Sequence, residues 1–149
     1  MSERRPDSSP GLDEVLALLE AHQIQPTQQR VEIARVLFAR RRHLSADDVL
    51  TLVNEEGPRV SKATVYNTLG LFAAKGLIRE VIVDPNRVFY DPNTEPHHHF
   101  YNVDTGTLMD IDADQFEVGC LPNPPQGMVT EGVDIIVRVR NATDAAAAD

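Results

Sequence analysis

Apolar residues recur at helical spacing along the first half of the chain and at strand spacing along the second. Val15, Leu16, Leu18 and Leu19 predict a first helix, and after Pro26 and Thr27 the set Val31, Ala34, Val36, Leu37 and Phe38 predicts another. Ser45, followed three residues on by Asp48, is an acidic variant of the capping box. It opens a third helix through Val49, Leu50, Leu52 and Val53 that ends at Gly57 and Pro58. Ser61 caps a fourth, whose stripe Val65, Leu69 and Phe72 follows i, i+4, i+7 and whose stop is Gly76. The β-branched run from Leu77 to Val83, the turn Asp84, Pro85, Asn86 and the run Arg87 to Tyr90 then read as a hairpin.

Helices closed by a short hairpin make a winged helix-turn-helix. Asp91 to Pro96, with two prolines, reads as a linker. Beyond it His99 to Val103 and Thr107 to Ile111 flank a turn at Asp104, Thr105 and Gly106, and Val133 to Val139 is a further strand. Pro122, Pro124 and Pro125 leave room only for a short helix near Gln115. The expected fold is α+β: a winged helix-turn-helix over residues 11–91, a hinge at 92–96 and a small α/β part over 97–140, between flexible tails at 1–10 and 141–149.

At 149 residues the chain is one domain or two small ones. No apolar run is long enough to span a membrane and no apolar stretch follows the N-terminus, so a cytoplasmic protein without a membrane partner is expected. A single cysteine, Cys120, excludes an internal disulfide and a multi-thiolate zinc site from one chain. The net charge of −9 hides an asymmetry: residues 1–83 hold 11 Lys and Arg against 11 Asp and Glu, residues 84–149 hold 3 against 12. A neutral half with Arg40, Arg41 and Arg42 can focus positive potential locally, and an acidic half with clustered His suits a cation.

On the fourth helix Ala63, Tyr66, Asn67 and Gly70 form a small, polar face, which permits close approach to a major groove and contact with base edges. The alternative is an ordinary solvent face. The stronger signal is His97-His98-His99. In a strand, His97 and His99 project from one face and His98 from the other, and an HxH pair is a common metal clamp. If the following hairpin loop has an even number of residues, Asp110 lies opposite His99 on the same face; an odd loop puts it on the wrong one. Imidazole and carboxylate without thiolate suit Fe(II), Mn(II) or Zn(II). An exposed polar run is the competing reading of the three histidines.

These residues resemble the ferric uptake regulator (Fur) family of bacterial metal-dependent repressors, over roughly residues 12–140. The resemblance rests on Gln25-Pro26-Thr27-Gln28-Gln29-Arg30, His43-Leu44-Ser45-Ala46-Asp47, Ala63-Thr64-Val65-Tyr66 with Gly76-Leu77-Ile78, and the His cluster before Asp104-Thr105-Gly106. It implies a DNA-binding winged helix, a C-terminal dimerisation part and a regulatory metal held by His43, Asp91, His97, His99 and Asp110. Tyr66 matches the family's base-contacting tyrosine and Arg30 an arginine near the DNA backbone. With the helix face, the implied DNA-binding set is Arg30, Lys62, Thr64, Tyr66 and Asn67. The implied partners are double-stranded, pseudo-palindromic operator DNA and a second copy of the chain. One divalent metal per chain is expected, Fe(II) first, with Mn(II) or Zn(II) as alternatives.

Asn102 and Thr105 stand where most members carry a CxxC pair, so no structural tetrathiolate zinc is expected. Pro96 and Val133 replace further ligands, leaving His98 and Glu117 without enough partners for another site. The triple His and the run Pro122 to Met128 look most like the iron response regulator (Irr) branch, which links the triple His to haem; His97, His98 and His99 are thus candidate haem residues. The Cys-Pro haem motif is missing, because Leu121 follows Cys120, and a buried or idle thiol is expected instead. The spacing from Asp91 to His97, and Asp at position 110, resemble the family's peroxide sensors.

Two other classes are weaker. Asp104-Thr105-Gly106 spells the aspartic-protease tripeptide, yet one copy in a tight turn is a hairpin. A metallohydrolase or peroxidase would use the same ligands with an open position, but no general base stands out and the chain is read as a non-enzyme. Asn141-Ala142-Thr143 is a sequon without consequence in an unexported protein.

Overall fold

The computed structural model describes residues 10–40, 43–95, 97–115 and 117–143, with the side chains of residues 40 and 113 left aside. Arg41, Arg42 and the Arg40 side chain, most of both predicted tails, and Pro96 of the predicted hinge lie outside the described residues. The chain divides into two compact units, Met1–Thr94 and Glu95–Asp149.

The first unit runs α1 (Leu12–Ala21), α2 (Gln28–Arg40), β1 (Leu44–Ser45), α3 (Ala46–Val53), α4 (Lys62–Ala74), β2 (Arg79–Asp84) and β3 (Arg87–Asp91). Its core draws Val15 and Leu19 from α1, Ile33 and Leu37 from α2, Val49 from α3, and Val65, Leu69 and Phe72 from α4, all at most 1% exposed. Each such side chain contributes about 1.5–3 kcal/mol by leaving water. The wing is an antiparallel sheet of order β1-β3-β2. Residues 43–45 carry no strand signal of their own; β1 exists because β3 offers it an edge, with Leu44 opposite Tyr90 and Ser45 opposite Phe89.

The caps explain where the helices start and stop. Ser45 Oγ accepts from the Asp48 amide while Asp48 Oδ2 accepts from the Ser45 amide, a complete capping box. Helix α3 then ends at Val53, earlier than Gly57, because the next residue diverts the backbone. Asn54 Oδ1 accepts from the amides of Arg59 and Val60, and Asn54 Nδ2 donates to the Val60 carbonyl. At the end of α4, Gly76 takes φ +77°. Its amide donates to Ala73 and that of Leu77 to Phe72, the paired bonds of a Schellman motif. Leu77 is therefore spent on the helix end, and β2 begins at Arg79 instead of Leu77.

The second unit holds β4 (His98–Asn102), β5 (Thr107–Ile111), a 3-10 turn (Ala113–Gln115) and β6 (Ile136–Val139), in a sheet of order β5-β4-β6. β4 and β5 are antiparallel and β6 is parallel to β4, so β5 ends and β6 begins at the same end of the sheet, and the connection between them passes the start of β4. Residues 117–135 supply it without regular structure, and β6 starts at Ile136 rather than Val133. The anticipated short helix near Gln115 is the 3-10 turn. Cys120 is exposed, which corrects the buried half of the expectation of a buried or idle thiol: the connection from β5 to β6 carries it over the surface.

Asn102 occupies the turn of the β4–β5 hairpin. Its Oδ1 accepts from the amides of Asp104 and Thr105, its carbonyl accepts from Gly106, and its Nδ2 donates to Asn141 Oδ1. Asp104 Oδ2 accepts from the Asn141 amide, tying the chain beyond β6 to the same turn. Asn102 and Thr105, which stand where the resemblance places a CxxC pair in most members, are thus hydrogen-bonded amide and hydroxyl, with Thr105 Oγ1 donating to Thr107 Oγ1.

Candidate metal centre and nucleic-acid interface

Each unit carries part of the predicted ligand set. In the first, His43 and Asp91 flank the β1/β3 ladder one step beyond the Leu44–Tyr90 pair. His43 Nε2 lies 2.9 Å from Asp91 Oδ2. The other carboxylate oxygen, Asp91 Oδ1, accepts from the Asn93 amide, which fixes the orientation of this buried acid.

In the second unit the β4–β5 register pairs His99 with Asp110 and Asn102 with Thr107, leaving residues 103–106 as the loop. That even loop meets the condition for Asp110 to share a face with His99. His97 Nε2 and His99 Nε2 lie 3.3 and 3.2 Å from the same oxygen, Asp110 Oδ1. The two imidazole rings meet edge to face with centroids 4.4 Å apart. His97 Nδ1 lies 2.6 Å from the Glu95 carbonyl, which can only accept. Nδ1 is thereby occupied as a donor, which leaves Nε2 as the ring nitrogen available to a metal, the arrangement of metal-binding histidines whose other nitrogen is held by an outer carbonyl.

His97, His99 and Asp110 each offer a ligand atom, and these atoms lie within 4.8 Å of one another. Nitrogen and oxygen donors with no sulfur fit a divalent ion of the Fe(II), Mn(II) or Zn(II) kind. The His97 and His99 side chains are 9% and 1% exposed and that of Asp110 is 52% exposed, so the donor cluster is open to small molecules on its carboxylate side. His98 turns the other way. Its Nδ1 accepts from the Ile135 amide at 3.1 Å and so ties β4 to the start of β6.

The predicted nucleic-acid face lies on α4. Val65, Thr68, Leu69 and Phe72 are buried, and Lys62, Ala63, Tyr66, Asn67 and Gly70 are exposed on the opposite side. Tyr66 is 44% exposed, large for an aromatic ring on a helix with so deep a core contact. Lys62 Nζ stands 5.8 Å from the centre of its ring. Thr64 lies within the cap, its hydroxyl accepting from Ser61 Oγ. Arg30, on α2, gives one guanidinium N–H to the Gln25 carbonyl, leaving the rest of its fork for other acceptors.

Sequence reasoning missed three residues around Tyr66. Its hydroxyl donates to Asp47 Oδ1 at 3.5 Å. Tyr90 on β3 has its phenol pushed up from the ordinary 10.0 by burial, with the Glu80 carboxylate and Tyr66 adding to it. No spacing rule links positions 47 and 90 to 66, and Glu80 enters as the ladder partner of Tyr90. Among the described residues no helix is long and apolar enough to cross a membrane.

Residues 21–120 match the model of the ferric uptake regulator family. The peroxide-responsive repressor PerR of Staphylococcus aureus strain Mu50 is 31% identical over 100 residues, 67% of this chain and 68% of that protein. A structure of the ferric uptake regulator of Pseudomonas aeruginosa with manganese is 29% identical, with a TM-score of 0.64 over 86% of this chain and 98% of that one. The ferric uptake regulator of Francisella tularensis with iron, 24% identical, shares the fold with a TM-score of 0.63 over 83% of this chain and 95% of that one.

Proposed function

The chain belongs to the ferric uptake regulator family, and from that premise we propose that it is an iron-dependent, peroxide-sensitive repressor that acts as a homodimer on a pseudo-palindromic operator. It is a regulator and not an enzyme, working in the cytoplasm where its operator is. One observation carries the reading: the donor cluster of His97, His99 and Asp110 is sulfur-free, has His97 Nδ1 held by the Glu95 carbonyl, and is open on its carboxylate side.

The two ligand groups are completed by one ion per chain, held by His43 and Asp91 together with His97, His99 and Asp110. The tether favours this. Asp91 and His97 are six residues apart, at most about 20 Å of extended chain, so an ion caught by one group meets the other at high effective concentration. An ion bound by both groups would couple metal binding to the DNA-reading unit. In the dimer, two such units must address half-sites about one helical turn, roughly 34 Å, apart. Tyr66, Asn67, Thr64 and Lys62 meet the major groove, and Arg30 positions the backbone.

Peroxide sensitivity follows from the metal chosen. A bound Fe(II) would supply one-electron chemistry that activates peroxide beside its ligands. An imidazole of His43, His97 or His99 would then be oxidised by two electrons, taking one peroxide oxygen while the other leaves as water, and would lose its basic lone pair and leave the ligand set. The PerR relative is a peroxide-responsive repressor by name, which supports the same direction. Mass spectrometry after peroxide treatment tests the reading: the Fe(II) protein gains about 16 Da on a His-containing peptide and releases DNA, and the Mn(II) protein does neither. An Fe(II) protein that stays unmodified and bound to its operator contradicts it.

A further inference from the structure

A short, stiff connection joins the His43–Asp91 pair to the recognition tyrosine inside the first unit. Leu44 and Ser45 are fixed by pairing with Tyr90 and Phe89. Ser45 is both the last residue of β1 and the cap of α3, locked in both directions to Asp48. Two residues beyond it, in the first turn of α3, Asp47 Oδ1 receives the Tyr66 hydroxyl. Five consecutive residues, 43–47, therefore span from a metal-ligand candidate to the partner of the base-reading side chain. Tyr90 closes the loop from the other strand, since it pairs with Leu44 and precedes Asp91.

Asp47 is an unexpected residue to find at this place. An exposed carboxylate beside a surface that meets phosphates opposes DNA binding through charge alone. Its position in the first turn of a helix gives it a favourable dipole interaction, but that does not require it to face Tyr66. Orienting a phenol that must reach a base edge within a few tenths of an ångström and 10–20° or so does require a second group.

We propose that Asp47 is a positioning residue for base recognition, and that the corner 43–47 carries the state of the His43–Asp91 pair to Tyr66. This rests on the reading that Tyr66 contacts bases. The backbone of the corner is held in its middle by the β1 ladder and at its end by the capping box, which leaves it little slack to absorb a shift at His43. A change in how His43 is held is therefore delivered to Asp47 and to the tyrosine hydroxyl.

The test uses the full-length protein, metal-free and loaded with Zn(II), on a duplex selected from a random library by the wild type and on random-sequence duplex. Asp47→Asn keeps an acceptor oxygen and loses the charge; Asp47→Ala loses both. The expected result is that the ratio of selected to random affinity holds in Asp47→Asn and drops about tenfold in Asp47→Ala. The resonance of 3-fluorotyrosine at position 66, assigned by its loss in Tyr66→Phe, shifts on Zn(II) addition in the wild type and Asp47→Asn. It does not shift in Asp47→Ala, although that variant binds zinc equally and melts cooperatively. If both variants bind all DNA more tightly at an unchanged ratio, Asp47 acts by charge alone and the proposal is overturned. A zinc-induced shift that persists in Asp47→Ala overturns the transmission. If Tyr66→Ala leaves the ratio unchanged, base reading by Tyr66 fails and this inference with it; if Tyr66→Ala lowers the ratio and Asp47→Ala does not, only the inference fails.

Discussion

His99 stands directly opposite Asp110 on the β4–β5 ladder, and its buried Nε2 lies 3.2 Å from the half-exposed Asp110 Oδ1. A hairpin loop sets this contact, since residues 103–106 decide which face of β5 the carboxylate takes. Gly106 makes the loop possible with φ +71°, a conformation that L side chains rarely adopt.

The register therefore controls the ligand set. One residue inserted between Thr105 and Gly106 moves Asp110 to the opposite face. Metal affinity, read by competition with a chelating dye, then falls by more than the roughly 10–100-fold typical of losing an outer-shell partner, and inserting two residues restores most of it. Equal affinities for the one- and two-residue insertions would remove Asp110 from the site.

DNA recognition divides between two kinds of contact. Tyr66→Ala lowers discrimination between operator and random duplex by about 1–3 kcal/mol, whereas Arg30→Ala weakens binding to every sequence and flattens the dependence on salt. Gel-shift titrations over a range of salt concentrations distinguish them. Unchanged operator affinity in both variants would contradict the assignment of α4 and α2 to the DNA face.

Tyr90 makes a prediction in the alkaline range. Burial, then Glu80, then Tyr66 raise its phenol above the 10.0 of an unfolded tyrosine, so the folded state keeps that proton longer. The contribution is fully present below pH 10 and is lost as pH rises through the folded value. Denaturant unfolding at pH 9 and pH 11 shows a larger loss of stability in the wild type than in Tyr90→Phe. Identical losses would mean that the phenol is not held protonated by the fold.

Elements with a local cause were legible in the sequence. Ser45 with Asp48, Ser61 and Gly76 mark helix ends by their own chemistry, and each occupies the predicted place. The HxH pair and the conditional placement of Asp110 followed from strand alternation alone. Relations set by tertiary pairing were not legible. β1 depends on the free edge of β3, and Asp47 reaches Tyr66 only because that edge turns α3 toward α4. The early end of α3 was hidden because a single asparagine, Asn54, binds the backbone six residues on. Burial of Cys120 is the half of the expectation that fails, since an unpaired thiol in a chain of ordinary composition is most often buried.

The claim that one ion joins both ligand groups is tested most directly by counting metal and measuring operator binding in His43→Ala and His99→Ala beside the wild type. The account predicts one equivalent of Fe(II) or Mn(II) per wild-type chain and metal-dependent operator binding that each single substitution abolishes, although His43 and His99 belong to different units. A His43→Ala protein that keeps wild-type metal-dependent operator binding would contradict it.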